Sequence, residues 1–150
     1  MTLNDIKIQS FSKVINDIFS HSNIQSFVLE TIRKRIYQSG IVGSGQKLKT
    51  DKSRSFDYSD ATMKLKDWFN QRNENVTLND TGAFYNSFKF TLNLFGFEID
   101  ANFKDIHNNF TMLYPSKAEF EKDVMSLTDT EIDNLMETKI LPQLIEKLII

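Results

Sequence analysis

Two stripes of apolar residues at three- and four-residue spacing open the chain. The first runs through residues 6–19 and the second through residues 24–36. Residues at these spacings share one face of a helix, so the pattern predicts two amphipathic helices that lie against a core. We expect Asn23 to cap the second helix and Gly40 to end it.

The hydrophobic pattern disappears after the second helix. Residues 40–57 hold three of the five glycines and many polar residues, a composition that buries too little apolar surface to order itself. We therefore predict an exposed, flexible loop over residues 40–57. A short amphipathic helix of two or three turns is expected after Asp60, and it ends before the polar residues 70–75.

The middle of the chain changes to a period of two. Apolar and polar residues alternate over 88–94 and again over 97–103, on either side of Gly96. This alternation predicts an antiparallel hairpin with one aromatic face. A third short strand is expected over 110–114, ended by Pro115, which has no N–H for strand pairing.

An apolar stripe at helical spacing returns near the C-terminus. Thr128 and Glu131 have the spacing of a capping box, which predicts the start of this helix. Pro142 removes a helix hydrogen bond, so we expect a kink or break near residues 138–141. The apolar residues 148–150 suggest docking against the core or against a neighbouring subunit.

These elements predict one α+β domain over residues 1–150, in which N-terminal helices and a kinked C-terminal helix pack on a small antiparallel sheet. The chain is 40% hydrophobic and 25% charged, as one globular domain is. Its net charge of −2 disfavours nonspecific binding of nucleic acid. No cysteine is present, no apolar run approaches a membrane span, and the first residues do not form a signal peptide. We expect a soluble protein.

The search for catalytic, cofactor or metal chemistry gives little. Three glycines precede Lys47, but the spacing differs from that of a phosphate-binding loop. The two histidines, His21 and His107, lack a second ligand at helical spacing, and no nucleophile has an adjacent base. We therefore expect no enzyme activity, no catalytic residue, no cofactor and no metal.

A run of cations in the predicted loop is followed by two aromatic residues. Such a run is compatible with a solvated loop, with contact to a protein partner, or with direct contact to DNA. The residues concerned are Lys47, Lys49, Lys52, Arg54, Phe56 and Tyr58.

The segment 76–88 has the densest local pattern in the chain. A polar pair that can cap a helical turn and a glycine precede three aromatic residues that lead into the hairpin. Each residue taken singly fits a corner between a helix and a strand. The residues are Asp80, Thr81, Gly82, Phe84, Tyr85 and Phe88.

Taken together, residues 78–88 read Leu-x-Asp-Thr-Gly-x-Phe-Tyr-x-Ser-Phe. This arrangement resembles the signature of the tailed-phage head-to-tail connector and tail-completion proteins, most closely the version found in phages of gut bacteria, including crAss-like phages. Segments 37–41, 58–66 and 127–128 agree with that version, so the resemblance covers roughly residues 30–130.

The resemblance implies a virion structural protein, assembled in the host cytoplasm, that forms a multimeric ring in the neck between the portal and the tail. Its partners are then copies of itself and the portal or other neck and tail proteins. A passing contact with genomic DNA in the lumen stays open, and no membrane is involved. The basic run and the 76–88 residues become candidates for the subunit interface. The alternative is a cytosolic, non-enzymatic adaptor or regulatory module that binds a protein partner through the basic run.

Overall fold

Helices and one β-hairpin build the described parts of the chain in the computed structural model. The structure describes residues 3–48, 60–71, 76–78, 82–94, 96–104, 106 and 114–148. In chain order the elements are α1 (Leu3–Ser20), α2 (Ser22–Ser39), α3 (Asp60–Trp68), α4 (Ala83–Asn86), β1 (Lys89–Asn93), β2 (Gly96–Asp100), α5 (Lys117–Met125), α6 (Asp129–Leu135), a π-helical turn (Met136–Ile140) and α7 (Leu141–Leu148). The fold is α+β, as the sequence predicts.

The helix α2 forms the centre of the core. Its buried residues are Ile24, Val28, Ile32 and Ile36, a strict four-residue repeat on one face. The helix ends at Gly40, whose N–H donates to the Ile36 carbonyl, as predicted. The predicted capping role of Asn23 is wrong. The N-cap of α2 is His21, two residues earlier, and its side chain makes no capping hydrogen bond.

The hairpin presents one apolar face to the helices. Phe90 pairs with Ile99 and Leu92 with Phe97, while the residues between them are exposed. The ring of Phe97 lies 5.1 Å from that of Phe19 on α1. The predicted aromatic face is confirmed. Most of the predicted third strand, residues 110–113, lies outside the described residues.

The capping box at the start of α6 forms as predicted. The hydroxyl of Thr128 accepts from the backbone N–H of Glu131, and the Glu131 carboxylate accepts from the backbone N–H of Thr128 at 2.8 Å. Each side chain thus satisfies a backbone donor that the first helical turn leaves unpaired.

The predicted kink near Pro142 is also confirmed. The helical stretch 117–147 bends by 38°, and the turn before the proline widens into the π-helix, where the Leu141 N–H bonds to the Met136 carbonyl. A proline ring clashes with the carbonyl four residues earlier, here that of Thr138, so the wider turn accommodates it. Beyond the kink, α7 packs against α1.

A chain of aromatic rings connects α4 with α5. The Phe84 ring lies 5.0 Å from that of Phe103, which lies 6.0 Å from Phe120, and Tyr114 lies 5.3 Å from Phe120. The contacts are edge-to-face, the arrangement that aromatic quadrupoles favour.

Among the described residues, no helix has both the length and the hydrophobicity that crossing a membrane would demand.

Candidate functional site

Residues 40–48 form a turn that is partly exposed and partly buried, whereas the sequence predicts an exposed, flexible loop over residues 40–57. Val42 and Leu48 are buried, and Ile41 pairs with Lys47 across the turn. Gly43 donates to the Asp123 carbonyl at 2.8 Å. A Cβ at Gly43 would lie 2.5 Å from the Ser126 Cβ, so this close approach to α5 needs a glycine. Within this turn residues 44–47 are exposed as predicted, Val42 and Leu48 are buried, and residues 49–57 lie outside the described residues.

The Asp123 carboxylate holds this turn and the start of α5 together. It accepts from the Ser44 backbone N–H at 2.7 Å and from the Ser44 hydroxyl at 2.6 Å. It also accepts from the Tyr114 hydroxyl at 2.7 Å. Burial, together with this hydrogen bond, raises the pKa of Tyr114 above its ordinary value.

Arg35 connects four parts of the fold through one guanidinium. It donates to the Ile41 carbonyl at 3.0 Å, to the Val124 carbonyl at 3.0 Å, and to the Glu131 carboxylate. Desolvation by burial lowers the pKa of Arg35, and the charge of Glu131 opposes that shift. The planar fork of arginine suits such a junction, because it presents donors in several fixed directions. Arg35 is therefore a structural joint.

The 76–88 corner belongs to the core of the molecule. Phe84 and Phe88 are buried, and the Tyr85 hydroxyl donates to the Thr77 carbonyl. Arg33 on α2 donates twice to the Tyr85 carbonyl, at 3.1 and 2.9 Å, and lies 5.1 Å from the centre of the Phe88 ring. The side chains of Phe84 and Phe88, which the resemblance makes interface candidates, are thus packed inside the subunit.

Within this corner Gly82 is the N-cap of α4 and has a φ of 80°, a conformation that favours glycine. Asp80 and Thr81, the other predicted residues of the corner, lie outside the described residues.

The predicted basic run is described at one position. Lys47 is exposed, on the outer side of the 40–48 turn. The rest of the run lies outside the described residues: Lys49, Lys52, Arg54, Phe56 and Tyr58. The distance between these residues and the 76–88 corner is therefore not described.

A row of exposed apolar side chains follows α3. Leu65, Trp68 and Phe69 are 56%, 84% and 70% exposed, and their spacing places them on one side of the helix. We call these three residues the α3 strip. The sequence predicts a short amphipathic helix here. Helical periodicity identifies such a face, but it does not tell whether the same chain or another covers it.

An open groove of about 810 Å³ lies between β2 and the helices α5 and α6. We call it the β2–α6 groove. Its apolar lining includes Phe19, Phe97, Ile99, Met125, Leu127 and Leu135. Ile132 and Met136 also line it and are themselves exposed, which makes the α6 wall accessible from outside.

Charged residues border the same groove. Glu98 and Asp100 border it from β2, and Glu121 and Lys122 from α5. The Glu121 carboxylate lies 3.6 Å from the Lys117 ammonium, which balances its charge. Pockets of this volume with a largely apolar lining are typical of ligand and partner sites.

In the described part of the chain, no group of three or more histidine, cysteine or acidic side chains is placed to hold a metal ion. The α3 strip and the β2–α6 groove are the two candidate sites, and neither is marked by a sequence motif. A scan against protein-family models finds no match, and no curated protein or solved structure matches the chain significantly.

Proposed function

We propose that the chain is a structural subunit of a tailed-phage virion, which assembles with copies of itself into a ring in the neck between portal and tail. The proposal assigns it no catalytic role. Its further partners would be the portal or other neck and tail proteins.

The observation that supports an assembly role most strongly is the α3 strip. Exposed apolar side chains scattered singly are normal on a protein surface, but an adjacent tryptophan, phenylalanine and leucine are not. Large aromatic residues are enriched at protein interfaces, where their burial supplies much of the binding free energy. The α3 strip is more than half exposed at all three positions.

The β2–α6 groove supports the same role from a second element. A ring needs two unlike surfaces on each subunit, since each copy contacts one neighbour with one surface and the other neighbour with the second. The α3 strip and the groove are two such surfaces, because α3 contributes no residue to the groove lining. The phage assignment itself rests on the resemblance of residues 78–88.

The buried corner supports the proposal in a different way. Gly82, Phe84 and Phe88 stabilise the subunit itself, so the signature residues maintain the fold that displays both surfaces. The α3 strip and the groove are added to the interface candidates that the sequence analysis names.

Native mass spectrometry of the purified chain over a range of concentrations tests the proposal. We expect a discrete oligomer of more than two subunits, whose population grows with concentration. A monomer at every soluble concentration would contradict the ring and would favour the adaptor module.

A further inference from the structure

We draw no further inference here: the strongest candidate, the apolar β2–α6 groove between the hairpin and the helices α5 and α6, carries none, because nothing in the described part of the structure shows what covers it.

Discussion

Replacing Arg35 with methionine removes the guanidinium that connects α2, the 40–48 turn, α5 and α6. Its side chain is 8% exposed and that of its partner Glu131 is 15% exposed, so this is a buried ion pair. The substitution leaves a buried carboxylate without its counter-charge. It also leaves the carbonyls of Ile41 and Val124 without their donor.

Breaking a buried pair by removing one partner costs about 3–5 kcal/mol. For a chain of this length that loss lowers the melting temperature by roughly 6–20 °C. The assay is urea unfolding followed by circular dichroism at a concentration where the chain is monomeric. An unchanged dependence on urea would show that the variant unfolds from the same compact state.

An exposed ion pair on the same molecule provides the control. Lys117 and Glu121 are 57% and 35% exposed and lie 3.6 Å apart, and Lys117→Ala should cost only about 0.5 kcal/mol. Glu131→Gln, which preserves the capping box, should be strongly coupled to Arg35→Met in a double-mutant cycle. A loss below about 1 kcal/mol for Arg35→Met, well under the cost of breaking a buried pair, would refute the role of Arg35 as a structural joint.

Three further changes test other parts of the fold. Gly82→Val should lower the unfolding free energy by at least about 1–2 kcal/mol, because φ at this position is 80°; an unchanged urea midpoint would remove the corner's importance. Thr128→Ala should lower the unfolding free energy by about 1 kcal/mol through loss of the capping box. The control is Thr130→Ala, two residues later at an exposed position, for which we do not expect an equal loss. The pKa of Tyr114 is raised in the folded chain, so on raising the pH the tyrosine ionises first in the unfolded chain. The contribution of Tyr114 to stability is therefore complete below the ordinary tyrosine pKa of about 10 and falls as the pH rises above that value. Tyr114→Phe should flatten this alkaline loss in urea unfolding measured across that pH range, and identical slopes for both chains would contradict the assignment.

Local patterns in the sequence are sufficient to predict most elements. The four-residue repeat on α2, the alternation over the hairpin and the Thr128 capping box each express a preference of the residues themselves. The kink at Pro142 is predicted for the same reason, since a missing N–H acts wherever the chain goes. These features depend on contacts between residues close in the sequence.

The polar contacts between distant elements could not be predicted from local sequence patterns. Arg35 meets Glu131 across 96 residues, and Ser44 meets Asp123 across 79. No local pattern distinguishes these polar residues from solvent-exposed ones. The 40–48 turn has the composition of a loop, yet Val42 and Leu48 are buried, and Gly43 and Ser44 bond to Asp123 on α5. Tertiary packing overrides composition there.

The α3 strip shows the reverse case. Its spacing is that of a core-facing helix, and Trp68 is nevertheless the most exposed aromatic residue among the exposed side chains described. Hydrophobic periodicity reports that a face should be covered, whereas the identity of the cover depends on the rest of the assembly.

The most direct test of the virion role is quantitative mass spectrometry of purified phage particles that carry this gene, with the chain measured against the portal protein. The account predicts that the chain is present at a copy number equal to that of the portal protein or half of it. Its absence from the particles would contradict the account.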